Sequence, residues 1–104
     1  MTVVSAYVVF GSAEEANRIG RTLIEERLAA CINILAPCKS IYRWEGRVEE
    51  AEETPAILKT DARLAEALIA RIAEMHSYEV PAITIWPVEK LLSSYGDWVE
   101  NSCG

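Results

Sequence analysis

Residues 29–58 form the stretch that decides the fold, and they read AACINILAPCKSIYRWEGRVEEAEETPAIL. Between Ala29 and Trp44, apolar residues recur at even positions, a pattern that predicts a long β-strand with one buried face. The even positions expected in the core are Ala30, Ile32, Ile34, Ala36, Tyr42 and Trp44. Pro37 lacks the N–H that a sheet ladder needs, so it must bend or interrupt this strand. Gly46 then closes a hairpin.

The strand that returns from this hairpin is expected in two pieces. Its first half, from Val48 to Glu53, contains four glutamates and should project beyond the core as a solvated arm. Its second half, Ala56 to Leu58, is apolar and follows Pro55. Alternation along a strand sends neighbouring glutamates to opposite faces, so we do not expect them to form a calcium site.

The flanking sequence predicts two further strands and three helices. Ser12 and Glu15 have the spacing of a capping box, and Asp61 is a typical N-cap. The predicted elements are a strand from Val3 to Phe10, a helix from Ala13 to Arg27, a helix from Asp61 to about His76, a strand from Val80 to Val88, and a short helix from Leu91 to Val99.

The resulting order, βαββαβ with an added C-terminal helix, is typical of an α+β ferredoxin-like sandwich. We expect one domain over residues 1–104, because the length suits a single core. Two helices would cover one face of the sheet. The strands are too apolar for an open second face, so the sequence predicts that copies of the chain cover it.

Composition narrows the function. The formal net charge of −6 makes nucleic acid a poor partner, since phosphate binding needs clustered lysines and arginines. No apolar run approaches the roughly 20 residues needed to span a bilayer, so we expect no membrane partner. The three cysteines are an odd number without CxxC spacing, and the N-terminus has no secretory pattern. We therefore expect a cytoplasmic protein.

Four blocks of sequence resemble the CutA divalent-ion tolerance family: Arg27–Ile34, Ser40–Gly46, Ile57–Thr60 and His76–Pro81. The resemblance covers nearly the whole chain. It implies a cytoplasmic homotrimer, built of ferredoxin-like subunits and assembled like PII-type signalling proteins. It also implies a role in tolerance of divalent metal ions such as copper. It implies no defined reaction, so we expect a protein that is not an enzyme.

The chain departs from this family at the ligands attributed to copper. Copper-binding members carry a cysteine after the first strand and a His-His pair before the tyrosine, where this chain has Gly11, Met75 and His76. Cu(I) prefers thiolate, thioether and imidazole ligands. The remaining metal candidates are therefore His76 and Cys31, and we expect any binding of copper or another divalent cation to be weak. No certain cofactor is predicted.

Six further residues are candidates for a ligand cleft or a subunit interface. The aromatic residues exceed what so small a core needs, and aromatic anchors are enriched at interfaces. Lys59 ends an apolar strand and could bind a small anion between subunits. The six candidates are Tyr42, Trp44, Lys59, Tyr78, Glu79 and Trp98.

Two other functions fit the same fold. A PII-like trimer would bind an effector and signal without binding metal, but the tight turn at Glu45–Arg47 leaves little room for a long mobile loop. An acylphosphatase would need an anion-cradling arginine after the first strand, and Gly11–Glu15 supplies glutamates instead.

Overall fold

The structure is a computed structural model that describes residues 2–104. It is an α+β fold with a five-stranded antiparallel sheet and three helices. The elements are β1 (Val3–Phe10), α1 (Ala13–Glu25), β2 (Cys31–Ile34), β3 (Cys38–Trp44), β4 (Arg47–Asp61), a 3-10 turn (Ala62–Leu64), α2 (Ala65–Met75), β5 (Ile83–Pro87) and α3 (Ser93–Ser102). In this part of the chain no helix has the length and apolar character needed to span a membrane.

The strand order places β1 at the centre of the sheet. The order is β2-β4-β1-β5, and β3 pairs with the first half of β4. Both βα units therefore leave room for another strand between their own two strands, which is the split arrangement expected from the sequence. The hairpin of β3 and the first half of β4 extends away from this body, and we call it the arm (residues 38–53).

The two prolines of the deciding stretch act differently from one another. As expected, the predicted long strand is interrupted at Pro37, which separates β2 from β3. The predicted break at Pro55 is wrong, because β4 runs unbroken for 15 residues. The Pro55 carbonyl accepts a hydrogen bond from the Leu35 N–H in the gap between β2 and β3. The N and carbonyl of a strand residue face the same side, so the nitrogen of Pro55 points toward Leu35, beyond the end of β2, and the ladder between β4 and β1 loses no donor there.

Two apolar clusters stabilise the body. The larger one lies between the sheet and the helices α1 and α2, and includes Phe10, Ile19, Leu23, Leu58 and Ile72. The smaller one lies where α3 packs on the opposite face of the sheet. Its buried members are Val3, Ala30, Val99 and Cys103.

Four positions predicted for the core are exposed in the subunit. Ile34, Tyr42 and Trp44 are each about two-fifths exposed, and Ala36 is also exposed. The helices cover only the body, whereas the arm extends beyond them and lengthens the molecule to 45 Å. Alternation alone could not indicate where this helix layer ends.

Several element ends differ from the sequence prediction. Ser12 caps α1 by accepting the Glu15 N–H at 3.1 Å, as expected. The helix ends at Glu25, two residues early, because Arg27 adopts a left-handed φ of 62°. The predicted strand Val80–Val88 is shorter at both ends, and the last helix begins and ends later than predicted.

Candidate functional site

A cleft of about 460 Å³ lies between one face of the arm and the loop that joins α2 to β5. Strand residues that pair directly share a face, so Ser40, Tyr42 and Trp44 point to the same side as Glu53. The loop forms the opposite wall. The cleft is lined by Val9, Ser40, Tyr42, Trp44, Glu53, Tyr78, Glu79, Val80 and Ala82.

Glu53 forms the buried end of the cleft, where the arm joins the body. Glu53 is only 8% exposed. The Tyr78 hydroxyl donates a hydrogen bond to Oε2 of Glu53 at 2.7 Å. The other oxygen, Oε1, accepts no hydrogen bond from residues 2–104, yet it is not sealed from solvent. Glu53 is also one of the residues that line the cleft. The cleft therefore contains an acceptor with free capacity.

Tyr78 bridges the two walls of the cleft. Burial raises the pKa of the Tyr78 phenol well above its usual value, and the hydrogen bond to Glu53 raises this pKa further. The phenol therefore stays protonated near neutral pH and remains a donor. This bond joins the loop to the arm across 25 residues of sequence.

His76 fixes the start of the loop. Its ring is fully buried and stacks on Phe10 with ring centroids 5.2 Å apart. The Tyr78 N–H donates to Nδ1 at 3.0 Å, so Nδ1 must be the unprotonated nitrogen. Nε2 then carries the proton and donates to the Val9 carbonyl at 2.8 Å. Both ring nitrogens are thus occupied by the fold in this arrangement.

Glu15 ties the same loop to the start of α1. Its carboxylate accepts the Ser77 N–H at 2.8 Å and the Gly11 N–H at 3.2 Å. Burial alone would raise the pKa of Glu15, but the hydrogen bonds from Ser77 and Gly11 outweigh it, and the pKa lies below its usual value. The capping box is therefore incomplete, because the carboxylate bonds Gly11 rather than Ser12.

Gly11 leaves room for this packing. A Cβ at this position would lie 3.2 Å from the Tyr78 hydroxyl oxygen and 3.4 Å from Glu15 Oε1. In this chain, the absence of a side chain lets the tyrosine and the carboxylate approach.

Of the six predicted cleft or interface residues, Tyr42, Trp44, Tyr78 and Glu79 line the cleft together. Lys59 lies elsewhere, in the body of the sheet opposite Cys31. Trp98 lies on α3, half exposed and stacked on Tyr95 at 5.8 Å. Sequence reasoning missed Glu53 as a site residue, because its signal was that of any glutamate in the acidic arm.

The structure does not bring the two predicted metal ligands together. Cys31 on β2 pairs with Lys59 of β4. His76 instead forms a hydrogen bond with the carbonyl of Val9, and Val9 on β1 pairs with Pro55 of β4. Four strand residues separate these positions along β4, which is roughly 13 Å. Cys31 instead lies 3.6 Å from the Tyr95 hydroxyl. The pKa of the Tyr95 phenol is raised to about 12, mainly by burial and to a smaller extent by the hydrogen bond with the Cys31 thiol.

Metal-ligating side chains do not cluster elsewhere in the described chain. Over residues 2–104, no three His, Cys, Asp or Glu side chains are grouped so that they could hold one ion. The cysteines Cys31, Cys38 and Cys103 are all free. Cys103 is buried and donates its thiol to the Val99 carbonyl at 2.9 Å.

Comparisons with known proteins find one family. The model of the family described as "CutA1 divalent ion tolerance protein" matches residues 4–102. The "Divalent-cation tolerance protein CutA" of Archaeoglobus fulgidus is 40% identical over 96 residues, which are 92% of this chain and 93% of that protein. The protein of the same name from Pyrococcus horikoshii is 41% identical over 97 residues, or 93% and 94% of the two chains.

Solved structures give the same result at the level of the fold. CutA1 from Oryza sativa superposes with a TM-score of 0.96 at 33% identity, covering 100% of this chain and 95% of that one. The divalent cation tolerance protein from Thermus thermophilus superposes with a TM-score of 0.94 at 36% identity, covering 98% and 99%. Both likenesses extend over the arm and the C-terminal helix as well as the body.

Proposed function

Because the chain belongs to the CutA1 divalent ion tolerance protein family, as its four sequence blocks predicted, we propose that it serves in tolerance of divalent metal ions as a non-enzymatic homotrimer. We place its ligand site in the cleft beside Tyr78, at the boundary between subunits. The family is named for tolerance and not for a reaction. Copper is the metal for which we propose the response.

The observation that carries the trimer is the apolar surface that one subunit leaves uncovered. Ile41 and Val48 are 64% and 63% exposed on the face of the arm that points away from the cleft. Trp86 is 46% exposed on the sheet, where it stacks on Tyr7 at 5.1 Å. Exposed apolar patches on a protein surface mark sites of interaction with a partner. A second copy of the chain would bury it.

Sedimentation of the pure protein tests the assembly. We expect a trimer at micromolar protomer concentration, since obligate interfaces bury more than about 2,000 Å². Ile41→Lys with Val48→Lys should yield a smaller species, because two charges would be desolvated at the interface. Glu45→Lys, at the tip of the arm, is the matched control for added charge. A wild-type monomer would refute the proposal.

The role in metal tolerance needs a separate test in cells. A strain that lacks its own family member should regain growth on elevated copper when it expresses this chain. His76→Ala with Cys31→Ala asks whether the predicted metal residues matter. Loss of tolerance together with loss of Cu(II) binding by the pure trimer would support direct binding through these residues, whereas unchanged tolerance would favour an indirect role.

An effector-binding trimer without direct metal binding is the second candidate. The observation that favours it is the cleft itself, which has aromatic walls and a carboxylate but lacks a set of soft ligands. The arm closes in a tight turn, with Glu45 and Gly46 at φ values of 50° and 78°. Any effector would therefore bind in the cleft and not to a long mobile loop.

We also propose that the protein resides in the cytoplasm. Support comes from the three free thiols, which suit a reducing compartment. The names of relatives vary in this respect, since one Archaeoglobus fulgidus structure is called periplasmic and an Arabidopsis thaliana protein chloroplastic. Fractionation of the native host, with detection of this chain, tests the assignment.

A further inference from the structure

We propose that the cleft beside Tyr78 binds an organic cation, with a substituted ammonium group as the recognised head. The inference deepens the proposed function, because it assigns a ligand class to the same cleft. Its argument rests on the charge, the walls and the rigidity of that cleft.

The charge of the cleft is negative. Two of its nine lining residues are glutamates, Glu53 and Glu79, and none is lysine, arginine or histidine. Glu53 is more than nine-tenths buried; Tyr78 donates to one of its oxygens, and the other, Oε1, has no partner among residues 2–104 and is not sealed from solvent. A partly desolvated carboxylate attracts a cation more strongly than an exposed one does. The buried end of the cleft therefore selects against anions.

The walls favour an organic cation over a metal ion. Tyr42, Trp44 and Tyr78 contribute aromatic side chains, and aromatic cages recognise quaternary ammonium groups through cation–π attraction. Hard divalent ions instead require several oxygen ligands at about 2.0–2.6 Å. Val9, Val80 and Ala82 present only apolar side chains there. A volume of about 460 Å³ also suits a small organic molecule.

The loop wall is held in place before any ligand arrives. His76 bonds both Val9 and Tyr78, and Glu15 bonds Ser77 and Gly11. These contacts leave the tyrosine little freedom to lose on binding, which lowers the entropic cost of association. They also explain why His76 need not touch the ligand.

Calorimetric titration of the full chain with choline chloride tests the proposal. The neutral probe 3,3-dimethyl-1-butanol has nearly the same shape as choline but no charge. We expect saturable binding of choline and at least about tenfold weaker binding of the alcohol. Equal affinities would show a merely apolar pocket and overturn the proposal, and so would the absence of saturable choline binding.

Matched variants assign the binding to the cleft. Glu53→Gln keeps an oxygen that can accept from Tyr78 but removes the charge, and we expect about tenfold weaker choline binding. Glu52→Gln is the control, because the adjacent residue lies on the other face of the arm. Glu79→Gln, at an exposed position, provides a second test if Glu53→Gln fails to fold. Equal effects at Glu52 and Glu53 would contradict the site.

Two further measurements separate this proposal from the proposed function. Titration with ZnCl2 and CuCl2 asks whether the cleft is a metal site. The organic-cation assignment would be overturned if the wild-type protein bound these metal ions but not choline, and if Glu53→Gln abolished the binding of the ions. Sedimentation and the copper-tolerance assay are read on the same variants. If the trimer and tolerance persist while choline does not bind, only the ligand class is wrong.

Discussion

Glu15→Gln should destabilise the fold more than any other single charge removal on α1. The carboxylate is 8% exposed and accepts two backbone N–H groups, from Gly11 and Ser77. The amide of glutamine retains one acceptor oxygen but replaces the other with a donor NH2 group. That group would face an N–H donor, and one buried backbone donor would lose its partner.

The expected loss is about 2–3 kcal/mol per subunit in the free energy of unfolding, since a hydrogen bond to a charged group contributes about 1.5–3 kcal/mol. Glu14→Gln is the control. Glu14 is exposed in the first turn of the same helix, so removal of its charge affects only the helix dipole, at about 0.3–1 kcal/mol.

The pH dependence gives an independent signature. The pKa of folded Glu15 lies below its ordinary value of 4.5, so the stabilisation is fully present above that value. It is lost as the pH falls through the folded-state pKa. The stability difference between wild type and Glu15→Gln should therefore stay constant near neutral pH and narrow below about 4.5.

Urea unfolding at fixed protomer concentration, followed by far-UV circular dichroism, measures these differences. The reasoning is refuted if Glu14→Gln and Glu15→Gln cost the same at pH 7. It is also refuted if the cost of Glu15→Gln does not change as the solution is acidified.

Three further changes test other parts of the structure. Gly46→Ala should lower the free energy of unfolding in urea by about 1 kcal/mol, because φ is 78° and a residue with a Cβ is strained there. No atom lies within 4 Å of the added Cβ, so a steric clash adds nothing to this cost. An unchanged midpoint would mean that the turn relaxes. Tyr78→Phe should cost about 1–3 kcal/mol in the same assay by removing the donor to Glu53, and a neutral result would mean that water replaces it. Arg27→Gln should speed alkylation of the buried Cys103, followed by mass spectrometry, because Arg27 bonds the carbonyls of Asn101 and Gly104; an unchanged rate would show that α3 stays docked without it.

Local signals predicted the start of the fold well. The uncharged run Val3–Phe10 is β1 at the predicted bounds, and Ser12 caps α1 as its spacing to Glu15 indicated. These elements depend on residues within a few positions of each other. Hydrophobic periodicity, capping residues and turn residues indicate such local elements directly.

Pairing between distant strands limited the rest. Pro37 and Pro55 both read as strand breakers, but only Pro37 breaks one. The outcome at Pro55 depends on whether its nitrogen faces a ladder, and that depends on where β2 ends beside β4. A single sequence contains no local signal for this register. The same limit applies to Ile34 and Tyr42, which alternate correctly but lie where the helix layer gives no cover.

The candidate site combines both kinds of information. Tyr42, Trp44, Tyr78 and Glu79 could be selected from the sequence, because exposed aromatic residues near a turn and a loop require an explanation. Glu53 could not, since it is buried only in the folded chain and its hydrogen-bond partner, Tyr78, lies 25 residues away in the sequence. A glutamate in an acidic run acquires a distinct role only when another segment desolvates it.

His76 shows why residue type alone misleads at this site. As the only histidine, it was the natural metal candidate. In the fold, one ring nitrogen donates to Val9 and the other accepts from Tyr78, so the ring connects β1 to the loop. A metal ion at Nδ1 would have to displace the Tyr78 N–H, and with it the backbone that places the phenol on Glu53. Metal binding at His76 and an ordered cleft are therefore competing states of the same loop.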